Sequence, residues 1–322
     1  FRSCCDDESL KKAKEVAKKL GIPFHVIDAQ KIFKKTVVDY FIRGYKNLET
    51  PNPCVVCNKF VKFGWFLDFV GKLGFQKAAT GHYVRIKKDK KGIFHLLEGK
   101  DKEKTQSYFL CLLNQGQLEK IIFPVGNMKK KDVMRIAEKS GLSFGNKRES
   151  QEICFIKNES YREFLKRNLP KKYFRPGIIL DMEKRKIGKH KGLLNYTVGQ
   201  RKGIEQEGLK NENKKPLYVV SLVKKENNLI VGNEDKIFGK SMKIKNISWI
   251  SDDAKNLALK KKKIKIKIRY RSKLVACKIR MDRKNKGEAE VFFEKDQRAI
   301  TPGQFAVFYM GKEILGSGVM RR

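Results

Sequence analysis

Residues 53–83, PCVVCNKFVKFGWFLDFVGKLGFQKAATGHY, have the pattern of a long amphipathic helix followed by a short strand. Asn52 is a favoured N-cap residue, and Pro53 suits the first helical position because it lacks the N–H that a first turn leaves unpaired. Apolar residues then recur at helical spacing until Gly74. The residues predicted to face the core are Val56, Phe60, Phe63, Leu67 and Val70. A strand is predicted over residues 77–83.

The same order of elements occurs earlier in the chain. Residues 9–20 have helical spacing of apolar side chains, Gly21 ends the pattern, and the apolar run 24–28 after Pro23 predicts a strand. A further helix is predicted at residues 130–140. Helices alternating with strands favour a parallel α/β sheet in the first ~145 residues.

Beyond Pro176 the pattern changes to short strands separated by Gly, Asn and Lys turns, which predicts a small β-barrel or sandwich. The predicted strands are 217–222, 228–231, 243–250, 263–271, 289–293 and 306–309. In 263–271, apolar Ile264, Ile266, Ile268 and Tyr270 alternate with cationic Lys265, Lys267, Arg269 and Arg271. The cationic face suits a phosphate backbone, or equally a solvated edge strand that lysines protect from aggregation.

Charge is the most unusual feature of the composition. The 322 residues include 74 Lys+Arg and 35 Asp+Glu, a formal net charge of +39. An excess of this size indicates a polyanionic partner, of which nucleic acid is the first candidate. A general lysine bias of the proteome is the alternative, so charge alone does not establish RNA binding.

Seven cysteines, an odd number without regular spacing, favour a reducing compartment over a secreted disulfide scaffold. No apolar run approaches the ~18 residues of a membrane span, and no signal peptide pattern opens the chain. We therefore expect a soluble, cytoplasmic protein with no membrane partner.

Two cysteine segments carry the chemistry: residues 50–59, TPNPCVVCNK, and residues 150–156, SQEICFI. Two thiols in one pocket can transfer sulfur, because one carries a persulfide while the other attacks it. Cys57 lies in the first turns of its predicted helix, with Lys59 and Lys62 nearby, a setting that favours the thiolate. Cys54 and Cys57 could instead form half of a zinc site or a thioredoxin-like motif, and Cys154 alone would more often be a buried structural thiol.

The sequence resembles the tRNA-specific 2-thiouridylases, bacterial enzymes that place sulfur on the wobble uridine of certain tRNAs. The likeness covers nearly the whole chain and is specific because many segments occur in family order. These segments are residues 50–63, 79–85 (ATGHYVR), 106–110 (QSYFL), 123–126 (FPVG), 150–156, 192–203, 269–271 (RYR) and 301–304 (TPGQ).

The resemblance implies a sulfur-transfer mechanism that uses ATP, with Mg²⁺ expected. ATP adenylates the C2 oxygen of the uridine, and sulfur then replaces that oxygen. Cys57 matches the family's nucleophile, and Cys154 matches the cysteine that receives the persulfide from a sulfur-relay protein or a cysteine desulfurase. Either Cys57 attacks that persulfide or Cys154 delivers its sulfur directly, and the cycle ends in a transient Cys57–Cys154 disulfide.

Other family roles carry over by position. Gly81 matches a glycine beside ATP, and the matched tRNA contacts are Asn52, Pro53, Cys54, His82, Lys104, Thr105, Gln106, Arg269, Tyr270 and Gln304. Asn52, Pro53 and Cys54 would face the target base. Thr105 departs from the family, which usually has Asp there. Cys54 occupies a position where other members can carry Asp, so the resemblance makes it a lining residue and not the nucleophile.

The resemblance also implies three domains, with a boundary expectation for each. These are an incomplete ATP-pyrophosphatase domain of the adenine nucleotide alpha hydrolase-like type (1–147), a central linker domain (148–208) and a tRNA-binding C-terminal β-barrel (209–322). The family's phosphate loop, Ser-Gly-Gly-x-Asp-Ser, does not occur in these 322 residues, and a segment upstream of Phe1 is expected to supply it. Alternatives are a basic RNA-binding remnant without catalysis, and an amidotransferase or ligase of the same nucleotide fold.

Overall fold

A long helix carries Cys54 and Cys57 and packs between the two main hydrophobic cores. We call residues 53–72 the cysteine helix. In the computed structural model it consists of α4 (Pro53–Val56), a π-helix (Cys57–Trp65) and α5 (Phe66–Lys72). Asn52 caps it, since its side chain accepts a hydrogen bond from the Val55 N–H, and Pro53 is its first residue. The predicted helix and its start are confirmed.

One predicted core position of the cysteine helix is wrong. Phe60 is 50% exposed, whereas Val61 beside it is 6% exposed and buried. In the π-helix the Phe66 N–H donates to the Val61 carbonyl, five residues back instead of four. The wider turn shifts the helical phase, so the 3.6-residue spacing used for the prediction selects the wrong neighbour.

The structure describes residues 7–142, 153–204, 216–260 and 264–321. The other α-helices are α1 (Asp7–Lys19), α2 (Gln30–Phe33), α3 (Asp39–Lys46), α6 (Gln115–Glu119), α7 (Lys130–Lys139), α8 (Tyr161–Asn168) and α9 (Asp252–Lys260). The strands are β1 (Ala78–Ala79), β2 (Val84–Lys88), β3 (Phe94–Glu98), β4 (Ile121–Ile122), β5 (Gly177–Leu180), β6 (Lys186–His190), β7 (Tyr218–Val223), β8 (Asn228–Gly232), β9 (Phe238–Trp249), β10 (Ile264–Lys267), β11 (Val275–Met281), β12 (Ala289–Arg298), β13 (Phe305–Met310) and β14 (Glu313–Met320). In the described part of the chain, no helix combines the length and hydropathy that crossing a membrane requires.

The α/β part contains a parallel pair, β1 with β4, which confirms a parallel sheet in this region. The predicted helices of residues 9–20 and 130–140 correspond to α1 and α7. The predicted strand at residues 24–28 is wrong: this segment is irregular. A strand needs a neighbour for its N–H and C=O groups, and no described strand pairs with these residues.

The C-terminal part forms a closed barrel of six antiparallel strands in the order β13-β10-β11-β12-β9-β14, with β14 pairing back to β13. Ile264, Ile266 and Ile268 are each 1% exposed and fill its interior, as the alternating pattern predicts. The edge-strand alternative is wrong, because β10 pairs with β11 on one side and β13 on the other. Barrel closure leaves it no open edge.

Two further sheet features connect regions distant in sequence. The hairpin β2–β3 extends the barrel sheet by pairing with β14. A separate four-stranded sheet, in the order β6-β5-β8-β7, joins strands from both sides of residue 208. The expected domain limits at 147/148 and 208/209 lie outside the described residues and stay a prediction.

The cysteine helix packs between two hydrophobic cores. Val55, Val56 and Phe63 belong to a core that includes the barrel interior. Val61 belongs to a second core, built on residues 33–48 and 155–169, and Cys57 packs against it. Burial on both sides fixes the rotation of the helix about its axis, and therefore the direction of its thiols.

One ionic cluster of the hairpin predicts a pH-dependent stability. His95 Nδ1 lies 2.7 Å from Glu313 Oε1, and Nε2 lies 3.2 Å from Asp89 Oδ2. Burial lowers the pKa of His95, but the hydrogen bonds of Glu313 and Asp89 outweigh it, so the pKa is raised overall. A raised pKa in the folded state gives stability that is complete below the unfolded pKa and lost as pH rises through the folded value.

The test is urea unfolding of the wild type and His95→Gln at pH 5.5 and pH 8.5. We expect the wild type to exceed His95→Gln in free energy of unfolding by about 0.5 kcal/mol more at pH 5.5 than at pH 8.5. This is the energy typical of a partly exposed ion pair. Burial also lowers the pKa values of His82 and His190. Both residues are present in both proteins, so their contributions to the pH dependence cancel in the difference. An advantage that is equal at the two pH values, or larger at pH 8.5, would contradict the prediction.

Candidate functional site

A cleft of about 1960 Å³ opens between the α/β part, the segment 153–155 and the barrel. Twelve of the thirteen predicted site residues line it: Pro53, Cys54, Cys57, Gly81, His82, Lys104, Thr105, Gln106, Cys154, Arg269, Tyr270 and Gln304. Asn52 is the exception and acts as the helix cap. The fold thus brings together side chains that are up to 251 residues apart in sequence, from Pro53 to Gln304.

The cysteine segments meet at this cleft although about 100 residues separate them. Cys57 is half-buried and Cys154 is exposed. Phe155 anchors the second segment, with its ring 5.8 Å from Phe33 and 5.4 Å from Phe41 in edge-to-face contacts. The alternative of a buried structural Cys154 is therefore wrong: its neighbour Phe155 supplies the packing and leaves the thiol accessible. Ser150, Gln151 and Glu152 of this segment lie outside the described residues.

Cys54, Lys59 and Lys62 of the cysteine helix differ in environment. Burial raises the pKa of the Cys54 thiol, while the charge of Lys62 lowers it. Lys62 lines the cleft. Lys59 instead donates to Gln117 Oε1 at 2.8 Å, and Gln117 Nε2 donates to the Lys59 carbonyl at 2.9 Å. Of the two lysines named from sequence, Lys62 is therefore the one that lines the cleft and acts on the Cys54 thiol.

Gly81 and His82 follow directly from the end of β1. A side chain added at Gly81 would meet nothing within 4 Å, so the backbone is open to the cleft there. His82 lies between Phe63 and Phe123, with ring centroids 5.7 and 6.0 Å away, and its Nδ1 is 2.8 Å from Thr80 Oγ1. Burial, with a smaller effect of the Lys62 charge, lowers the pKa of His82 to about 4. His82 is thus neutral at physiological pH.

The predicted contact segment 104–106 is held by its own hydrogen bonds. Thr105 is 7% exposed, and its Oγ1 accepts from the Gly99 N–H at 3.1 Å. Gln106 Oε1 accepts from the Tyr83 N–H at 3.0 Å. These two side chains shape the loop, and Lys104 is the charged residue of the three.

Asp101, which sequence analysis missed, organises this loop. Its Oδ1 accepts from the Glu103 and Lys104 N–H groups at 3.1 and 3.3 Å, and its Oδ2 accepts from the Lys130 N–H at 2.9 Å. These hydrogen bonds hold the pKa of Asp101 below its usual range. An Asp whose carboxylate accepts from the N–H groups two and three residues later forms an Asx turn, and an Asp in a loop sequence could have indicated this role.

On the barrel side, Arg269 and Tyr270 have different surroundings. The Arg269 guanidinium donates to the carbonyls of Arg298 at 2.8 Å and Ala299 at 3.2 Å, so it supports the neighbouring loop as well as lining the cleft. The Tyr270 ring lies 4.5 Å from that of Phe109. An aromatic surface of this kind suits the stacking of an unpaired base.

The barrel loop 301–304 holds Thr50, which lies three residues before the first residue of the cysteine helix. The Gln304 side-chain amide donates to the Thr50 carbonyl at 2.8 Å, and the Thr50 N–H donates to the Pro302 carbonyl at 2.7 Å. Thr50 Oγ1 also donates to Thr197 Oγ1 at 3.3 Å. Gln304 therefore fixes the start of the segment Asn52-Pro53-Cys54 against the barrel.

Electrostatics make the cleft suitable for a polyanion. Its lining cations are Lys62, Lys102, Lys104, Lys130, Lys267, Arg269 and Arg271, and its lining carboxylates are Asp28 and Glu103. Lys267 also pairs with Glu98 at 3.5 Å. The net positive potential would draw in a phosphate backbone.

Three family models match successive parts of the chain. They are the tRNA methyl transferase HUP domain over residues 1–158, the tRNA methyl transferase PRC-barrel domain over 162–233 and the aminomethyltransferase beta-barrel domain over 239–320. The tRNA-specific 2-thiouridylase MnmA 1 of Caldanaerobacter subterraneus subsp. tengcongensis is 42% identical over 324 residues, which cover 100% of this chain and 85% of the relative. The chain belongs to the tRNA-specific 2-thiouridylase family.

Two further family members of slightly lower identity also match this chain over nearly its whole length. The tRNA-specific 2-thiouridylase MnmA of Chloroflexus aurantiacus is 39% identical over 319 residues, 99% of this chain and 86% of the relative. That of Streptococcus sanguinis is 38% identical over 325 residues, 100% of this chain and 85% of the relative. The words "methyl transferase" belong to the names of the family models, and the relatives themselves are named thiouridylases, which are sulfurtransferases. The nucleotide-binding HUP domain and the C-terminal barrel of this family are the two regions that face each other across the cleft.

Proposed function

We propose that this chain is a tRNA-uridine 2-sulfurtransferase, which replaces the C2 oxygen of the wobble uridine with sulfur. The observation that carries the proposal is the presence of Cys57 and Cys154 in one basic cleft. A cleft with an excess of cations suits the tRNA backbone, and two thiols from different segments suit persulfide chemistry.

The exposure of the two cysteines supports their proposed roles. Cys154 is exposed, as a thiol must be to receive sulfur from a separate relay protein or cysteine desulfurase. Cys57 is half-buried at the inner wall, where it can attack. The Cys57 thiolate displaces the outer sulfur of the Cys154 persulfide, which leaves as hydrosulfide while a Cys57–Cys154 disulfide forms. Hydrosulfide then attacks C2 of the adenylated uridine, the C2–O bond breaks and the oxygen leaves as part of AMP, and a cellular thiol reductant reopens the disulfide.

The remaining residues would bind tRNA. Lys104 and its loop, held by Asp101, supply charge to the backbone, and Tyr270 supplies a stacking surface. Pro53 and Cys54 at the start of the cysteine helix lie where a flipped base would reach Cys57, with Asn52 as the cap that orients them. His82, neutral at physiological pH, can offer a hydrogen bond but no charge to the substrate.

ATP is the co-substrate, with Mg²⁺ as its companion ion, and its chemistry would convert the C2 oxygen into a leaving group. The residues present fit one part of an ATP site. Gly81 leaves the backbone open at the carboxyl end of the parallel pair β1–β4, where α/β folds bind ligands. The Ser-Gly-Gly-x-Asp-Ser loop that would cradle the phosphates is not among the 322 residues. We therefore assign no residue of this chain to the phosphates or to Mg²⁺.

The experiment is a thiolation assay of the full-length gene product that contains this chain, with ATP·Mg²⁺, a cysteine desulfurase, cysteine and unmodified tRNA. The expected product is 2-thiouridine, detected by mass spectrometry of the digested tRNA. A matched tRNA with cytidine at the wobble position is the control and is expected to gain no sulfur. Binding of tRNA without any thiolation would overturn the proposal in favour of a catalytically inactive RNA-binding protein.

A further inference from the structure

The π-helix at residues 57–65 determines which side chain accompanies the Cys57 thiol. In an α-helix, residues 57 and 62 would point about 140° apart, because each residue turns the helix by about 100°. In a helix whose hydrogen bonds join residues five apart, residue 62 lies one turn above residue 57 instead. Accordingly both Cys57 and Lys62 line the cleft.

Lys62 is placed to act on several groups of the cleft at once. Its charge acts on the Cys54 thiol and on His82. Its side chain is exposed, and within the described part of the chain no carboxylate forms an ion pair with it. Among the described residues, no carboxylate therefore neutralises this ammonium group.

The sulfur chemistry of the cleft would be favoured by such a cation. The reaction begins with a thiolate on Cys57 and releases hydrosulfide, so one negative charge stays in the cleft throughout the exchange. His82 is buried and neutral and cannot compensate this charge. The other cations that line the cleft are Lys102, Lys104, Lys130, Lys267, Arg269 and Arg271, and the carboxylates are Asp28 and Glu103.

We propose that Lys62 is a catalytic residue whose ammonium group compensates the sulfur anion, first on Cys57 and then on the released hydrosulfide. The inference rests on the proposed function for the second of these steps only. The first step is a property of the cleft itself and can be measured without ATP or tRNA.

The test measures the rate at which iodoacetamide alkylates Cys57, by peptide mass spectrometry, at pH 7 and pH 10. Lys62→Gln is expected to slow the reaction at pH 7 by about fivefold, since a nearby opposite charge favours the thiolate. At pH 10 the difference is expected to fall below about twofold, because the thiolate then forms without help. Lys62→Arg is expected to restore the rate at pH 7 to within about twofold.

Lys59→Gln is the matched control, since Lys59 lies on the same helix but bonds to Gln117. It is expected to leave the rate at pH 7 within about twofold, and melting temperatures confirm that each variant is folded. If Lys62→Gln slows alkylation no more than Lys59→Gln does, the proposal is overturned. If it slows alkylation but the wild type thiolates no tRNA, the electrostatic role stands and the proposed function fails.

Discussion

Cys57→Ser and Cys154→Ser in the full-length gene product are each expected to reduce 2-thiouridine formation by at least roughly 10³-fold, because each removes a sulfur that the reaction passes through. Serine is close to cysteine in size but forms neither a persulfide nor a disulfide. The measurement is the rate of 2-thiouridine formation in the thiolation assay.

The two variants are expected to differ in an earlier step. With a cysteine desulfurase and ³⁵S-labelled cysteine, Cys57→Ser should still accumulate persulfide sulfur on Cys154, and Cys154→Ser should not. Label on Cys57 in the Cys154→Ser variant would reverse the two roles.

Cys277→Ala is the control for the loss of a cysteine, because Cys277 lies on β11 in the barrel core and not on the cleft. Its thiolation rate is expected to stay within about twofold of the wild type, with a small loss of stability from the vacated volume. If Cys277→Ala were as inactive as the cleft variants, the loss would reflect folding and not chemistry.

Gly303→Ala is expected to have the second largest effect, on both stability and activity. Gly303 has φ +89°, and an added Cβ would lie 2.8 Å from Glu49 Cβ and 2.9 Å from the Thr50 nitrogen. The backbone of Thr50 cannot yield without loosening its bonds to Pro302 and Gln304. We expect a loss of about 2 to 3 kcal/mol in the free energy of unfolding, and roughly 10-fold slower thiolation as the start of the cysteine helix moves.

Gly311→Ala is the matched control, which separates the effect of the steric contact at Gly303 from the effect of a positive φ. Gly311, between β13 and β14, also has positive φ, +61°, but an added Cβ would meet nothing within 4 Å. It is expected to cost about 1 kcal/mol, from the left-handed conformation alone, and to leave thiolation unchanged. Urea unfolding and the thiolation assay check both variants. Equal effects of the two would show that the contact of Gly303 with Thr50 is unimportant.

Local patterns predicted the elements whose stability is mainly local. The cap at Asn52, the start of the cysteine helix at Pro53, and helices α1 and α7 follow from capping and 3.6-residue periodicity. The alternation of Ile264, Ile266 and Ile268 with cationic residues predicted correctly which face of β10 is buried. The prediction failed at residues 24–28, because β structure depends on a neighbouring strand that no local pattern supplies.

The sequence by itself determined the family, the barrel class of the C-terminal part and the candidate cysteines, because motif order and periodicity are written along the chain. Only the tertiary structure decided that Cys154 is exposed, that Gln304 holds Thr50, and that Lys62 faces the cleft while Lys59 bonds to Gln117. These properties depend on contacts between segments about 60 to 250 residues apart and on a π-helix that changes the helical phase. Burial and direction of a side chain are set by such packing, and spacing along one segment does not contain them.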